Sequence, residues 1–327
     1  MTYRSLLHAV LPCALALAAL AGPSIGAAQE FPSKPMRILV GASPGGGTDI
    51  LARVLAEKFS AGLKQAVVVE NRPGASNTIA AGLTARDEPN GLTLLVATNT
   101  GQAIAPHLIK LSYDPLKNLQ PVGLVAIMPN VLVVSSSSPY KSVQDVLAAM
   151  KAKPGELKFA SSGVGSTQHV GAEAFNLATG AKSIHIPYKG SSQAHMDVIS
   201  GQVDMMFDST SSAMSQIVGG KLRALAVTSP KRSAALPDVP TLAEQGITGA
   251  DVNTWYGLFA TGGTPPAIIA RLHDELTKSL ETPEVQARIK ALGGEIELMS
   301  VEQFAAMNQK EYDRYGQLLV DSGIKKE

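Results

Sequence analysis

The chain has 327 residues, long enough for two domains with apolar cores of their own. Its 28 basic and 27 acidic residues leave a net charge of +1, with neither sign gathered into long blocks, and aromatics make up only 5%. That balance excludes a nucleic acid or an anionic membrane as the main partner, because both need basic patches and single strands also need aromatic platforms.

Residues 1–28 read MTYRSLLHAVLPCALALAALAGPSIGAA. Arg4 precedes an apolar stretch from Leu6 to Leu20, and a Gly-Pro-Ser break leads to the small residues Gly26, Ala27 and Ala28. This is the layout of a secretory signal peptide, and its apolar run is shorter than the roughly 20 residues that cross a bilayer as a helix. The expectation is a periplasmic protein that does not insert in the membrane once the signal is removed. The single cysteine, Cys13, lies inside this segment behind Leu11 and Pro12, where a lipoprotein signal needs small residues. A chain processed there has no cysteine for a disulfide and must rest on its core.

After the signal, β-branched runs alternate with helical spacing, the grammar of an α/β fold. Met36 to Val40 predicts a strand, Gly41 to Gly47 a loop, and Ile50, Leu51, Val54, Leu55 and Phe59 a helix. Val67 to Val69 is a second strand, Arg72 to Ala75 a turn, Ile79 to Leu83 a short helix and Leu92 to Ala97 a buried strand ending at Thr98. Further on, Asn130 to Val134 is a strand and Val143 to Met150 a helix closed by Lys153-Pro154-Gly155. Lys158 to Ala160 then enters the loop Ser161 to Thr167, and His169 to Leu177 continues as a helix. Ile184 to Ile186, Val203 to Phe207, Arg223 to Val227 and Tyr256 to Ala260 predict strands. Ile268, Ile269, Leu272, Leu276 and Leu280 share a helix face, and Ser300 with Gln303 forms a capping box ahead of Phe304 and Met307.

Two glycine loops, each between a strand and a helix, are the candidate binding elements. In Gly41-Ala42-Ser43-Pro44-Gly45-Gly46-Gly47-Thr48-Asp49, three glycines let backbone approach a ligand, and the N–H groups and dipole of the next helix favour an anion. Gly163-Val164-Gly165-Ser166-Thr167 repeats the arrangement, with the hydroxyls of Ser162, Ser166 and Thr167 as further candidate donors. Each loop alone is also compatible with a plain βα turn; the pair predicts that two lobes meet one carboxylate. His169 falls in the first turn of the second helix, and Tyr188-Lys189 ends a strand, so either faces the ligand or solvent. Asp208 would repel a carboxylate unless the ligand also carried an ammonium or hydroxyl; capping a helix through Ser211 and Ser212 is the reading favoured for it.

Enzyme motifs fail on chemistry. Gly41-Ala42-Ser43-Pro44-Gly45 spells a nucleophile elbow, but the residue after the serine must supply an oxyanion N–H, and Pro44 has none. A hydrolase using Ser166 has no acid partner at a recognisable spacing. The second loop has Gln168 where a dinucleotide fingerprint needs its third glycine, and neither loop ends in the Gly-Lys of a phosphate loop, so no cofactor is expected. Ser138-Pro139-Tyr140-Lys141 lacks the companion motifs of a β-lactamase. His107, His169, His185, His195 and His273 are dispersed, so no metal is expected either.

The segments FPSKPMRILVGASPGGGTDILARVLA, VVVENRPGA, PNGLTLLVAT, FASSGVGSTQHVGAEAF, IPYKGSSQAHMDVISGQVDMMFD, KLRALAVTSPKRSAALPDVPTLAEQG and WYGLFATGGTP, in that order, resemble the periplasmic substrate-binding component of tripartite tricarboxylate transporters, the Bug family. The resemblance implies a two-lobed periplasmic binding protein fold, each lobe a mostly parallel sheet flanked by helices. One lobe would comprise 29–127 and 250–327, the other 128–249. It also implies a carboxylate held partly through ordered waters by Ser43 to Asp49 and Ser162 to His169, with Thr98 and Asn99 as cleft residues. The expected partners are a small carboxylate and the membrane transporter subunits, and the expected state is a monomer without catalytic activity. A receptor-coupled sensor would look the same in sequence. The chain departs from the family at Gly41-Ala42-Ser43, where proline and an apolar or aromatic residue are usual.

Overall fold

The computed structural model describes residues 31–324; the signal segment read from the sequence lies outside them. β1 (Met36–Val40) is followed by the first glycine loop and α1 (Gly47–Leu63), whose Leu51, Leu55, Phe59 and Leu63 form one buried stripe. Lys64, in the left-handed region at φ 53°, ends that helix. β2 (Val67–Asn71) leads into a turn at Ala75, Ser76 and Asn77, all with positive φ (44°, 51° and 73°), a conformation uncommon for residues with a β-carbon. α2 (Thr78–Thr84) and β3 (Thr93–Thr98) follow, and every residue of β3 is buried. A π-helical turn, Thr100–Ile104, then runs into the single turn α3 (Ala105–Leu108).

β4 (Leu119–Met128) passes through the single residue Pro129 into β5 (Asn130–Ser135). The next elements are α4 (Val143–Ala152), β6 (Lys158–Ser161), α5 (Thr167–Thr179), β7 (Ile184–Pro187) and α6 (Ser191–Ser200). β8 (Met205–Ser209), α7 (Thr210–Val218) and β9 (Leu222–Val227) complete this stretch. The chain returns in β10 (Thr254–Thr261) and ends in α8 (Pro266–Glu281), α9 (Pro283–Ala291) and α10 (Val301–Asp321). The capping box at Ser300 and Gln303 is formed, starting α10 as its sequence predicts.

The strands form two sheets, ordered β2-β1-β3-β10-β4 and β7-β6-β8-β5-β9. In each, four strands run in one direction, while β10 in the first and β5 in the second run antiparallel to their neighbours. β4 escapes a reading by sequence pattern because it contains Pro121 and Gly123. Both are accommodated for physical reasons: β4 is an edge strand, where a missing N–H costs no ladder bond, and a β-carbon on Gly123 would lie 2.7 Å from Leu276 of α8.

The first sheet packs Leu39, Leu95, Trp255 and Phe259 against Phe304 of α10. A larger core joins Leu132, Phe159, Phe175 and Phe207 of the second sheet and its helices to Ile104 and Leu108 and to Tyr315 and Leu319 of α10. The last helix therefore contributes side chains to both cores.

Candidate functional site

A cavity of about 1060 Å³ lies between the two sheets. Of the residues singled out in the sequence, it is lined by Gly41, Ala42, Ser43, Gly45, Gly46, Gly47, Thr48, Thr98, Ser162, Gly163, Thr167, Tyr188 and Lys189. Pro44, Asp49, Asn99, Gly165, Ser166, His169 and Asp208 are outside its wall, and each of the polar ones has a partner inside the protein.

The first loop is built around Asp49. Gly45, at φ 78°, turns its N–H onto Asp49 Oδ2 at 2.9 Å, and Asn71 Nδ2 donates to Asp49 Oδ1 at 2.9 Å and to Ala42 O at 3.0 Å. Arg53 pairs with the same carboxylate at 3.0 Å. Burial works against the charge on Asp49, but the hydrogen bonds from Arg53, Gly45 and Asn71 and the Arg53 charge prevail and hold its pKa below the usual value. With that charge drawn behind the loop, Gly46 is the N-cap of α1 and has no side chain to accept from the first-turn N–H groups. Gly47 and Thr48 present that turn to the cavity.

The second loop is organised differently. Ser166 caps α5 by accepting from His169 N–H at 3.2 Å. Gly165 N–H donates to His169 Nδ1 at 3.1 Å, Gly163 N–H to Ser161 Oγ at 3.1 Å, Ser166 N–H to Gly163 O at 3.2 Å and Thr167 N–H to Thr100 Oγ1 at 3.2 Å. Most of its N–H groups are thus satisfied within the protein. Behind it His169 stacks on His185, ring centres 3.8 Å apart and planes within 7°, and His185 Nε2 meets Ser161 Oγ at 2.6 Å. Burial lowers both imidazole pKa values, His169 to about 3, with His185 adding to the effect, and His185 to about 4. The pair is neutral and holds the loop from behind.

Asp208, at the end of β8, is fully buried. It does not cap α7 through Ser211 and Ser212, the reading the sequence favoured. Its Oδ1 accepts from Gln168 Nε2, Ser191 Oγ and Ser209 N–H at 2.9, 3.0 and 2.8 Å, and Oδ2 meets His195 Nε2 at 2.7 Å. The reason is geometric: β8 turns directly into α7 at Ser209, leaving the carboxylate under the cavity floor, where α5 and α6 supply donors. Tyr188 lines the cavity but donates its hydroxyl hydrogen to Asp197 at 2.6 Å, and burial together with that carboxylate pushes its pKa up to about 12.

Sequence reading missed Ser76, Asn77, Ser191, His195 and Tyr256, which all line the cavity. The spacing of Ala194 and Val198 after Gly190 was the signal available for α6. Contacts also cross between the sheets' loops. Ser76 Oγ donates to Val164 O at 2.7 Å, and Ser211 Oγ lies 2.8 Å from the Tyr256 hydroxyl.

Two mixed sheets flanked by helices, with a cavity between them and glycine loops at its walls, define a two-lobed periplasmic binding protein. Residues 51–324 match the model of the tripartite tricarboxylate transporter family receptor, and the chain belongs to that family. Among curated relatives it is 35% identical over 325 residues to protein BugT of Bordetella pertussis, covering 98% of each chain. Among solved structures, the periplasmic binding protein BugD is 34% identical with a TM-score of 0.85, covering 91% of this chain and all of that one. Rpa4515 of R. palustris, solved with adipate, is 31% identical with a TM-score of 0.87 over 91% of this chain and all of that one. No helix among the described residues is long and apolar enough to cross a membrane.

Proposed function

We propose that this protein captures a small carboxylate in the cavity between lobes formed by 29–127 with 250–327 and by 128–249. It delivers the loaded form, as a periplasmic monomer, to the subunits of a tripartite tricarboxylate-type transporter. The observation that carries this reading is the first turn of α1: its N-cap is a glycine, its own Asp49 is folded away behind the loop, and Gly47 and Thr48 face the cavity. A carboxylate there accepts charge-assisted hydrogen bonds worth about 1.5–3 kcal/mol each, with a further contribution from the helix dipole. The neighbour solved with adipate supports a carboxylate as the ligand class.

Binding without turnover is the companion proposal. Among the described residues, the serine whose hydroxyl meets a histidine ring is Ser161, with His185, and it is fully buried and absent from the cavity wall. Ser166 uses its hydroxyl oxygen to cap α5. Thermal unfolding against a panel of carboxylic acids tests the reading. An acid present at about 100 times its Kd stabilises the fold by about 2.7 kcal/mol. No shift with any member of a broad panel would overturn it.

A further inference from the structure

We propose that His195 is a proton-linked group of the cavity wall: it meets the captured acid through an N–H at Nδ1 that it has only with an added proton, so binding of the acid draws a proton from solution. The proposal rests on the carboxylate reading above and adds a second bound species, the proton, to it.

The His195–Asp208 pair holds one proton or two. Asp208 Oδ1 is an acceptor, because the Ser209 N–H donates to it at 2.8 Å and Gln168, whose Oε1 is taken by Ser162 Oγ at 2.9 Å, turns Nε2 to it. Oδ2 lies 2.7 Å from His195 Nε2, too close for two lone pairs to face each other, so the first proton sits between them. With that proton alone, Nδ1 is a bare lone pair. A second proton makes Nδ1 a donor, whichever partner holds the first, so the two groups titrate as a unit. Nδ1 is also the atom turned to the cavity: it has no partner among the described residues, it is not one of the buried unpaired polar atoms, and His195, only 5% exposed, lines the cavity.

The surroundings of His195 attract a carboxylate. α6 begins behind Gly190 with no side-chain cap, and Lys189 lines the same wall. α6 packs on β5, β6 and β8. β5 brings no titratable side chain, β6 brings Lys158 at its exposed start, and β8 brings Asp208. α5 contributes the uncharged Gln168, and on α6 itself Asp197 is occupied by the Tyr188 hydroxyl. From across the cavity come Tyr256, whose hydroxyl lies on Ser211, and α1, whose Asp49 is drawn behind its loop. Without an acid, Lys189 and the positive end of α6 oppose a second proton; a captured carboxylate offsets both and favours the proton directly. A bare lone pair on Nδ1 would repel the same carboxylate, so proton and acid bind together.

Titration calorimetry at about pH 7.5, in the range where histidines exchange protons, tests this with members of the carboxylate panel, adipate, malate, glutarate and benzoate among them. Each acid is run in PIPES and in Tris, which differ in the heat of giving up a proton. For an acid that binds, an uptake of about 0.3–1 proton is expected, with affinity falling about three- to tenfold between about pH 6.5 and pH 8. Equal heats in the two buffers for every acid that binds would overturn the proton linkage and leave the carboxylate reading intact; no binding across the panel would overturn both. His195→Gln keeps a donor for Asp208 Oδ2 but has no second nitrogen, so uptake is expected to fall below about 0.1 proton and the pH dependence to flatten. Unchanged uptake in the folded variant would overturn the assignment to His195. If that variant does not fold, nitrogen NMR of the wild-type protein labelled at histidine decides: one imidazole is expected to pass from a single N–H to two when the bound acid is added, and unchanged histidine spectra would overturn the proposal.

Discussion

Gly47 lies at a close contact between the two halves. A β-carbon there would overlap Ser211 Oγ and lie 2.8 Å from Ser211 Cβ and 2.9 Å from the Tyr256 hydroxyl. Gly47→Ala is therefore expected to hold the cleft apart, at a cost of about 1–3 kcal/mol to the closed form, and to weaken ligand binding about tenfold or more while the melting temperature of the unliganded protein changes little. Titration calorimetry beside thermal unfolding separates the two effects. The stacked His169 and His185 give a second prediction. Both are neutral when folded, with pKa values down to about 3 and about 4, whereas in the unfolded chain they protonate near 6.5. The unfolded state then binds more protons below that pH, so stability is full above about pH 6.5 and declines as pH falls towards 4 and 3, by up to about 1.4 kcal/mol per pH unit for each group. Melting curves between pH 7 and pH 4 should show the decline, and His185→Phe should flatten it; an equal slope in the variant would exclude the pair as its source.

At the scale of elements, α10 is the test of how the halves are tied. The Tyr315 hydroxyl accepts from Asn99 Nδ2 at 2.9 Å, and the same Asn99 amide donates to Asn253 O at 2.8 Å, so one buried amide joins the π-helical turn, the last helix and the return crossing. Tyr315→Phe is expected to cost about 1–2 kcal/mol in denaturant unfolding, the penalty for an unmet buried donor, and Tyr315→Ala about 3–5 kcal/mol through lost packing. The strands and helices bearing the glycine loops were legible in sequence because glycine clusters interrupt clear periods. β4 was not, because Pro121 and Gly123 imitate breaks and only an edge position and the closeness of α8 excuse them. The inward turn of His169 and Asp208 was not legible either. It depends on which layer packs behind each loop, and the chain from Ser162 through Gln168 to Asp208 joins residues brought together only by pairing β6 with β8.

For the whole molecule, the crossing is short: β4 and β5 are separated by Pro129 alone, and β10 begins at Thr254, paired with Met128. Trp255, paired with Ile127, sits beside this crossing, buried and edge-on to Phe304 of α10 at 5.7 Å. Opening or closing the cleft by twisting these strands would alter the indole's surroundings, so its fluorescence is expected to change at a saturating concentration of a bound acid. An unchanged spectrum would remove the pivot from this position. The reach of α10 into both cores bears on biosynthesis as well. Tyr315 and Leu319 seal the core that Leu132, Phe159, Phe175 and Phe207 begin, so a nascent chain holds that core incomplete until α10 has been made.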